Sequence, residues 1–112
     1  MGGLAQRDPE QTAIMRQRER EAREQVARLC SHPSIVLWCG GNEYGPALNR
    51  ALAEALRETV QQEDGTRPFR AASPSAGDRH NWMVWHHRAP LAHFSRETVP
   101  FVSEFGLQSV PD

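Results

Sequence analysis

Apolar residues recur at helical spacing over two stretches of the chain and gather into short unbroken runs elsewhere. From Pro9 to about Cys30, Ile14, Ala22, Val26 and Leu29 can share one face of a helix. Asp8 can cap that helix, Pro9 suits its first turn, and Glu10 adds favourable charge there. The rest is dense charge, with Glu19 and Arg23, and Glu24 and Arg28, at the i,i+4 spacing that favours ion pairs. Acids interleave the arginines, so this reads as a solvated face. Ser31-His32-Pro33 stops the helix. A second helix is predicted over 46–62, burying Leu48, Leu52, Ala55, Leu56 and Val60, before a turn at Asp64-Gly65. Residues 1–8 read as a flexible lead-in.

Between the helices, Ile35 to Cys39 is a continuous apolar run bounded by Pro33 and by Gly40-Gly41. Such a run fits a strand buried on both faces, as in a parallel sheet covered by helices. Further strands are predicted near 68–72, 82–86 and 100–104, with a short helix near 90–97 that turns Leu91 and Phe94 inward. The loop Ser73 to Gly77 is too short to hold a helix, so the second and third strands follow each other without a full crossover. The predicted class is α/β, with about four parallel strands and two long helices.

Polar residues sit where such folds place their chemistry, at the carboxyl ends of the strands. Asn42 and Glu43 follow the first strand, and Gly40 and Gly41 give the backbone freedom for a ligand to approach closely. Glu104 ends the last strand, among Phe101, Val102 and Phe105. If both strands lie parallel in one sheet, two carboxylates emerge on one face. Paired carboxylates are the machinery of glycoside hydrolysis: one, protonated, serves the leaving oxygen, and the other, ionised, attacks or stabilises the sugar. Trp38 reads as core. Trp82 and Trp85 fit either core or a stacking wall for a sugar ring, because His80, Asn81, His86 and His87 surround them. The histidines lack the spacing of a zinc site and read as hydrogen-bonding groups, so no metal and no cofactor is expected. Ser103 has no glycine-flanked elbow, which disfavours serine hydrolysis.

Composition narrows the partners. The chain has 112 residues, 13 basic and 14 acidic, with a formal net charge of -1. That balance argues against a nucleic-acid partner. No run approaches the ~18 apolar residues of a membrane span, so no membrane partner is expected. Met1-Gly2-Gly3-Leu4 lacks the regions of a signal peptide. Cys30 and Cys39 read as small buried hydrophobes, which points to a reducing, cytoplasmic setting.

Four blocks carry a resemblance. His32-Pro33-Ser34-Ile35-Val36-Leu37-Trp38-Cys39-Gly40-Gly41-Asn42-Glu43 resembles the acid/base motif of glycoside hydrolase family 2, and Phe101 to Ser109 resembles its nucleophile motif. Between them, Asp64 to Pro68 and Gly77 to His86 are similar to the β-mannosidase branch. The resemblance implies a (β/α)-barrel and a retaining mechanism, with Glu43 as acid/base and Glu104 as nucleophile. It implies that Asn42 bonds the sugar 2-hydroxyl and that Trp82 and Trp85 line the pocket. Gly41 departs from the pattern, standing where many relatives carry a second asparagine, and His87 replaces a residue that is often small. The spacing from Glu43 to Glu104 is short for the family.

A whole barrel takes roughly 250 residues. Residues 9–112 therefore read as the central portion of a (β/α)8-barrel domain, a partial barrel running from the helix before the fourth strand through the seventh strand. Its open edges and uncovered apolar faces imply a drive of order 10 kcal/mol towards association, at ~25 cal/mol per Å². The expected partners are a β-linked sugar and either the missing barrel portion or a second copy. The alternative is a truncated, non-catalytic remnant that packs with a partner or binds carbohydrate weakly.

Overall fold

The computed structural model describes residues 8–107, so the predicted lead-in lies almost wholly outside the described residues. The chain folds as two compact units. The first runs to Gly40 and resumes from Gly45 to Ala71; the second joins Gly41–Tyr44 to the chain from Ala72 onward.

In the first unit, helix α1 spans Pro9–Leu29, strand β1 Trp38–Cys39, helix α2 Arg50–Glu63 and strand β2 Phe69–Arg70. The α1 start is as predicted: the Asp8 carboxylate accepts a hydrogen bond from the Glu10 amide, Pro9 opens the first turn, and Arg28 sits in the last. Val26 of α1 and Ala53 and Val60 of α2 are buried. Ile14 and Leu48, both expected inside, are 50% and 91% exposed. Leu48 lies outside the helix because residues 46–49 first form a turn, in which the amides of Leu48 and Asn49 bond the Gly45 carbonyl. The predicted charge pairs along α1 give way to other partners. Arg23 reaches across to Glu63 at 2.5 Å and to Gln62 of α2, and Arg28 bonds Gln25.

Strands β1 and β2 pair in parallel, Trp38 with Phe69 and Cys39 with Arg70. The run Ile35 to Cys39 forms a strand only over its last two residues and is not buried on both faces: Val36 is 69% exposed and Cys39 is exposed, while Cys30 is half-buried. Gly40 serves packing. A Cβ there would lie 2.7 Å from the Ala71 carbonyl oxygen and 2.9 Å from the Phe69 ring, so glycine lets the two backbones close.

A buried polar cluster locks this unit. The Asp64 carboxylate accepts bonds from the Thr66 hydroxyl at 2.6 Å, the Trp38 indole N–H at 2.8 Å and Arg67 Nη1 at 2.6 Å. Those bonds, with Thr66 first, hold its carboxyl well below the usual carboxylate range. The same guanidinium donates to the carbonyls of Ile35, Cys30 and His32. One arginine thus satisfies the end of α1 and the lead into β1 together.

In the second unit, strand β3 spans Asp78–Asn81, a one-turn helix α3 Met83–His86, a 3₁₀ helix Leu91–Arg96 and strand β4 Phe101–Phe105. The strand predicted at 82–86 is corrected: the strand lies four residues earlier, and 83–86 is helical. A short apolar run does not distinguish strand from helix by its period. Here the Asn81 side-chain oxygen accepts from the Met83 amide two residues on, an Asx turn that bends the chain, and the His86 amide bonds the Trp82 carbonyl. Strands β3 and β4 are parallel. The described strands therefore form two separate two-stranded sheets, not one four-stranded arc.

Candidate active site

The site is built entirely within the second unit. Gly41–Tyr44 joins it through one parallel bridge between Asn42 and Ser73: the Ser73 amide donates to the Gly41 carbonyl at 3.0 Å, and the Glu43 amide to the Ser73 carbonyl at 2.7 Å. These bonds fix the backbone on both sides of Asn42. Glu43 takes φ 47°, the left-handed region that side chains other than glycine seldom occupy, at a cost of order 1 kcal/mol.

Glu104 is placed by an irregularity in the sheet. Asp78 and Arg79 pair with Phe101 and Val102, but His80 pairs with Glu104, so Ser103 is an extra residue on β4. A bulge of this kind re-aims the side chains beside it. Its amide and hydroxyl are not idle. The Ser103 N–H donates to Asp78 Oδ1 at 3.1 Å, and its Oγ lies 2.9 Å from Ser73 Oγ.

The bulge and the bridge bring two acids to one histidine. His80 Nδ1 lies 2.7 Å from Glu43 Oε1 and 3.7 Å from Glu104 Oε2. One oxygen of each carboxylate and this nitrogen all fall within 4.8 Å of one another. The imidazole is nearly fully enclosed, with 4% of its side chain exposed, whereas the Glu43 and Glu104 side chains are 54% and 39% exposed. A buried ring thus holds two solvent-facing acids. That spacing would also suit a cation, but Nδ1 is already directed at Glu43 in a short hydrogen bond, and we read the trio as a hydrogen-bonded cluster.

Behind the ring, His80 Nε2 lies 3.0 Å from Ser73 Oγ, which donates to Asp78 Oδ2 at 2.6 Å. Burial raises the Asp78 carboxyl, but hydrogen bonds from Ser73 and from the side chain and amide of Ser103 outweigh it, and the group sits below the ordinary range. Asp78 and His80, two residues apart on β3, were not singled out as site residues from the sequence. The pattern Asp-x-His, which puts both side chains on one face of a strand, was the available signal.

The remaining sequence candidates divide. Asn42 stands beside Glu43 and is exposed. Trp82 lines a cleft of about 470 Å³ with Arg79, His80, Asn81, Met83 and His93. Trp85 does not line it. It packs on Gly106, where a Cβ would lie 2.6 Å from the Trp85 Cβ and 3.0 Å from the Trp82 ring.

Sequence comparison relates the chain to known proteins. Residues 4–94 match the family described as Glycosyl hydrolases family 2, TIM barrel domain. The chain is 31% identical to Beta-mannosidase B of Thermothelomyces thermophilus and 29% identical to Beta-mannosidase of Rattus norvegicus, in each case over 92% of this chain and 16% of the relative. It is 32% identical to Beta-mannosidase of Mus musculus, with the same coverage. The chain therefore spans about 16% of the length of these relatives. No solved structure matches it significantly. The family match covers well over half of the sequence and includes the Glu43, Asp78 and His80 positions, and on that basis the chain belongs to glycoside hydrolase family 2, as part of a β-mannosidase-like TIM barrel domain.

Proposed function

We propose that this chain carries the catalytic pair of a retaining, β-mannosidase-like glycoside hydrolase and forms the central portion of its (β/α)8 barrel. The observation that carries the reading is the convergence of Glu43 and Glu104 on His80, with an oxygen of each acid inside 4.8 Å. Retaining enzymes hold their carboxyl groups roughly 5–5.5 Å apart, whereas inverting ones need roughly 6.5–9.5 Å to admit a water. The short gap favours retention.

In this reading Glu104 attacks the anomeric carbon while Glu43 gives its proton to the departing oxygen. Glu43 then takes a proton from the water that releases the sugar. Asn42 bonds the sugar 2-hydroxyl, and the Trp82 wall of the neighbouring cleft supports the ring. Trp85 acts at one remove, by packing behind Gly106. The sugar is a β-linked mannoside, by analogy with the named relatives. The two free thiols suit a reducing, cytoplasmic compartment; no helix among the described residues is long and apolar enough to cross a membrane.

The test is covalent trapping. Incubation with an activated 2-fluoro-mannoside, followed by peptide mass analysis, is expected to place one sugar on Glu104. An unlabelled chain that also leaves aryl β-mannosides intact would sink the catalytic reading. It would favour a second one, a remnant completed by another polypeptide. Uncovered apolar side chains give that reading its support: Val36, Leu91, Phe101 and Phe105 are between 43% and 69% exposed. Under either reading the isolated chain associates with itself or with the rest of a barrel. Sedimentation showing a stable monomer would count against this.

A further inference from the structure

We propose that His80 is the proton-positioning residue of the site: Asp78, through Ser73, fixes its ring so that the proton needed by Glu43 is held in the Glu43–His80 hydrogen bond. This deepens the hydrolase reading and rests on it for the role of Glu43, though the proton assignment itself follows from donors and acceptors alone.

The Ser73 hydroxyl has one hydrogen and two lone pairs. It faces three groups: Asp78 Oδ2 at 2.6 Å, Ser103 Oγ at 2.9 Å and His80 Nε2 at 3.0 Å. Two oxygens at 2.6 Å need a hydrogen between them. Asp78 also accepts the Ser103 amide, and its carboxyl is held below the ordinary range, so it is an ionised acceptor and Ser73 supplies the hydrogen. Ser73 Oγ is then left only to accept, and His80 Nε2 at 3.0 Å must be an N–H donor.

That assignment decides the other nitrogen. Nδ1 lies 2.7 Å from Glu43 Oε1, again a contact that needs a hydrogen. With Nε2 already protonated, that hydrogen is either on Nδ1, giving imidazolium and carboxylate, or on Glu43, giving neutral imidazole and carboxylic acid. In both forms the pair holds one proton on the axis facing Glu43. The charged and titratable groups around the ring are Glu43, Glu104 at 3.7 Å and, through Ser73, Asp78. Arg79, His87 and His93 join it on the wall of the adjoining cleft. When Glu43 delivers that proton to the leaving oxygen, His80 keeps its Nε2 hydrogen and Nδ1 is left as an acceptor facing Glu43, which takes a proton back from the incoming water.

The experiment reads the ring directly. In the full chain with nitrogen-15-labelled histidine, long-range proton–nitrogen correlation is recorded for His80, identified by its absence from H80N. The expected pattern is a protonated Nε2 that the S73A variant disturbs, together with a second proton on the Nδ1 side. A bare Nε2 with the proton on Nδ1 alone overturns the proposal, whether or not the chain hydrolyses anything. The activity arm compares H80F and H80N, since the Asn amide nitrogen can occupy the Nδ1 position and donate to Glu43. H80F is expected to lose on the order of tenfold more activity on an alkyl β-mannoside than on a nitrophenyl one, with a changed alkaline limb of its pH profile, and H80N to recover much of that difference. Equal loss on both substrates, with an unchanged profile, overturns the proposal. Absence of hydrolysis by the parent chain counts against the hydrolase reading instead, and leaves the nitrogen signals to decide this one.

Discussion

Each unit of this protein is organised around a buried aspartate, and the two differ in how the surrounding hydrogen-bond network ends. Asp64 ends in an arginine that makes four hydrogen bonds within the protein, to a carboxylate and three backbone carbonyls. Its charge is matched on the spot, and nothing is left to react. Asp78 is held instead by the side chains of Ser73 and Ser103 and by the backbone amides of Ser103 and Arg79. Its network passes through Ser73 and His80 and reaches two solvent-facing carboxylates. A network closed by a cation stabilises a fold. One that ends in exposed acids on a shared imidazole is poised for proton transfer.

The contrast breaks most visibly at the acids. Replacing Glu104 by Gln is expected to lower hydrolysis by several orders of magnitude while the melting midpoint changes little, as measured on an aryl β-mannoside and by circular dichroism. A large loss of stability with this change would place Glu104 among the structural acids instead. Glu43→Gln follows. It should cost roughly 100-fold or more on poor leaving groups and much less on activated ones. Equal loss on both would remove Glu43 as the acid.

In the other unit the effect should appear in stability. Arg67→Met leaves three carbonyls without their donor and is expected to cost about 3 kcal/mol in urea unfolding. Trp38→Phe removes one indole bond to Asp64 and should cost about 1 kcal/mol. The smallest effect is on acid stability. The Asp64 carboxyl is depressed below its ordinary value of 3.8, so its contribution is fully present above about pH 4 and is lost as pH falls through the folded value. Unfolding curves from pH 5 downward should show this fall in the parent and a weaker one in Asp64→Asn. Parallel curves would mean that the bonds to Asp64 do not favour its ionised form.

The sequence made the helices legible because their period is long and their ends carry caps: Asp8 and Pro9 mark the start of α1 as they stand in the fold. It made Glu43 and Glu104 legible because each ends an apolar run. The strand between them was hidden. Asp78-Arg79-His80-Asn81 has almost no intrinsic preference for a strand, and it forms one because β4 supplies its ladder and hydrogen bonds satisfy its buried polar side chains. The tryptophan-rich segment after it looked more like a strand and is a helical turn. The bulge at Ser103 was equally silent, since one extra residue leaves no mark in a five-residue pattern.

The backbone at Glu43 carries a consequence for anyone who tries to improve this protein. With φ at 47°, glycine would be more comfortable there than any side chain. A screen that rewards only heat resistance should therefore select Glu43→Gly, and its winner would be the sturdiest member of the library and an inert one.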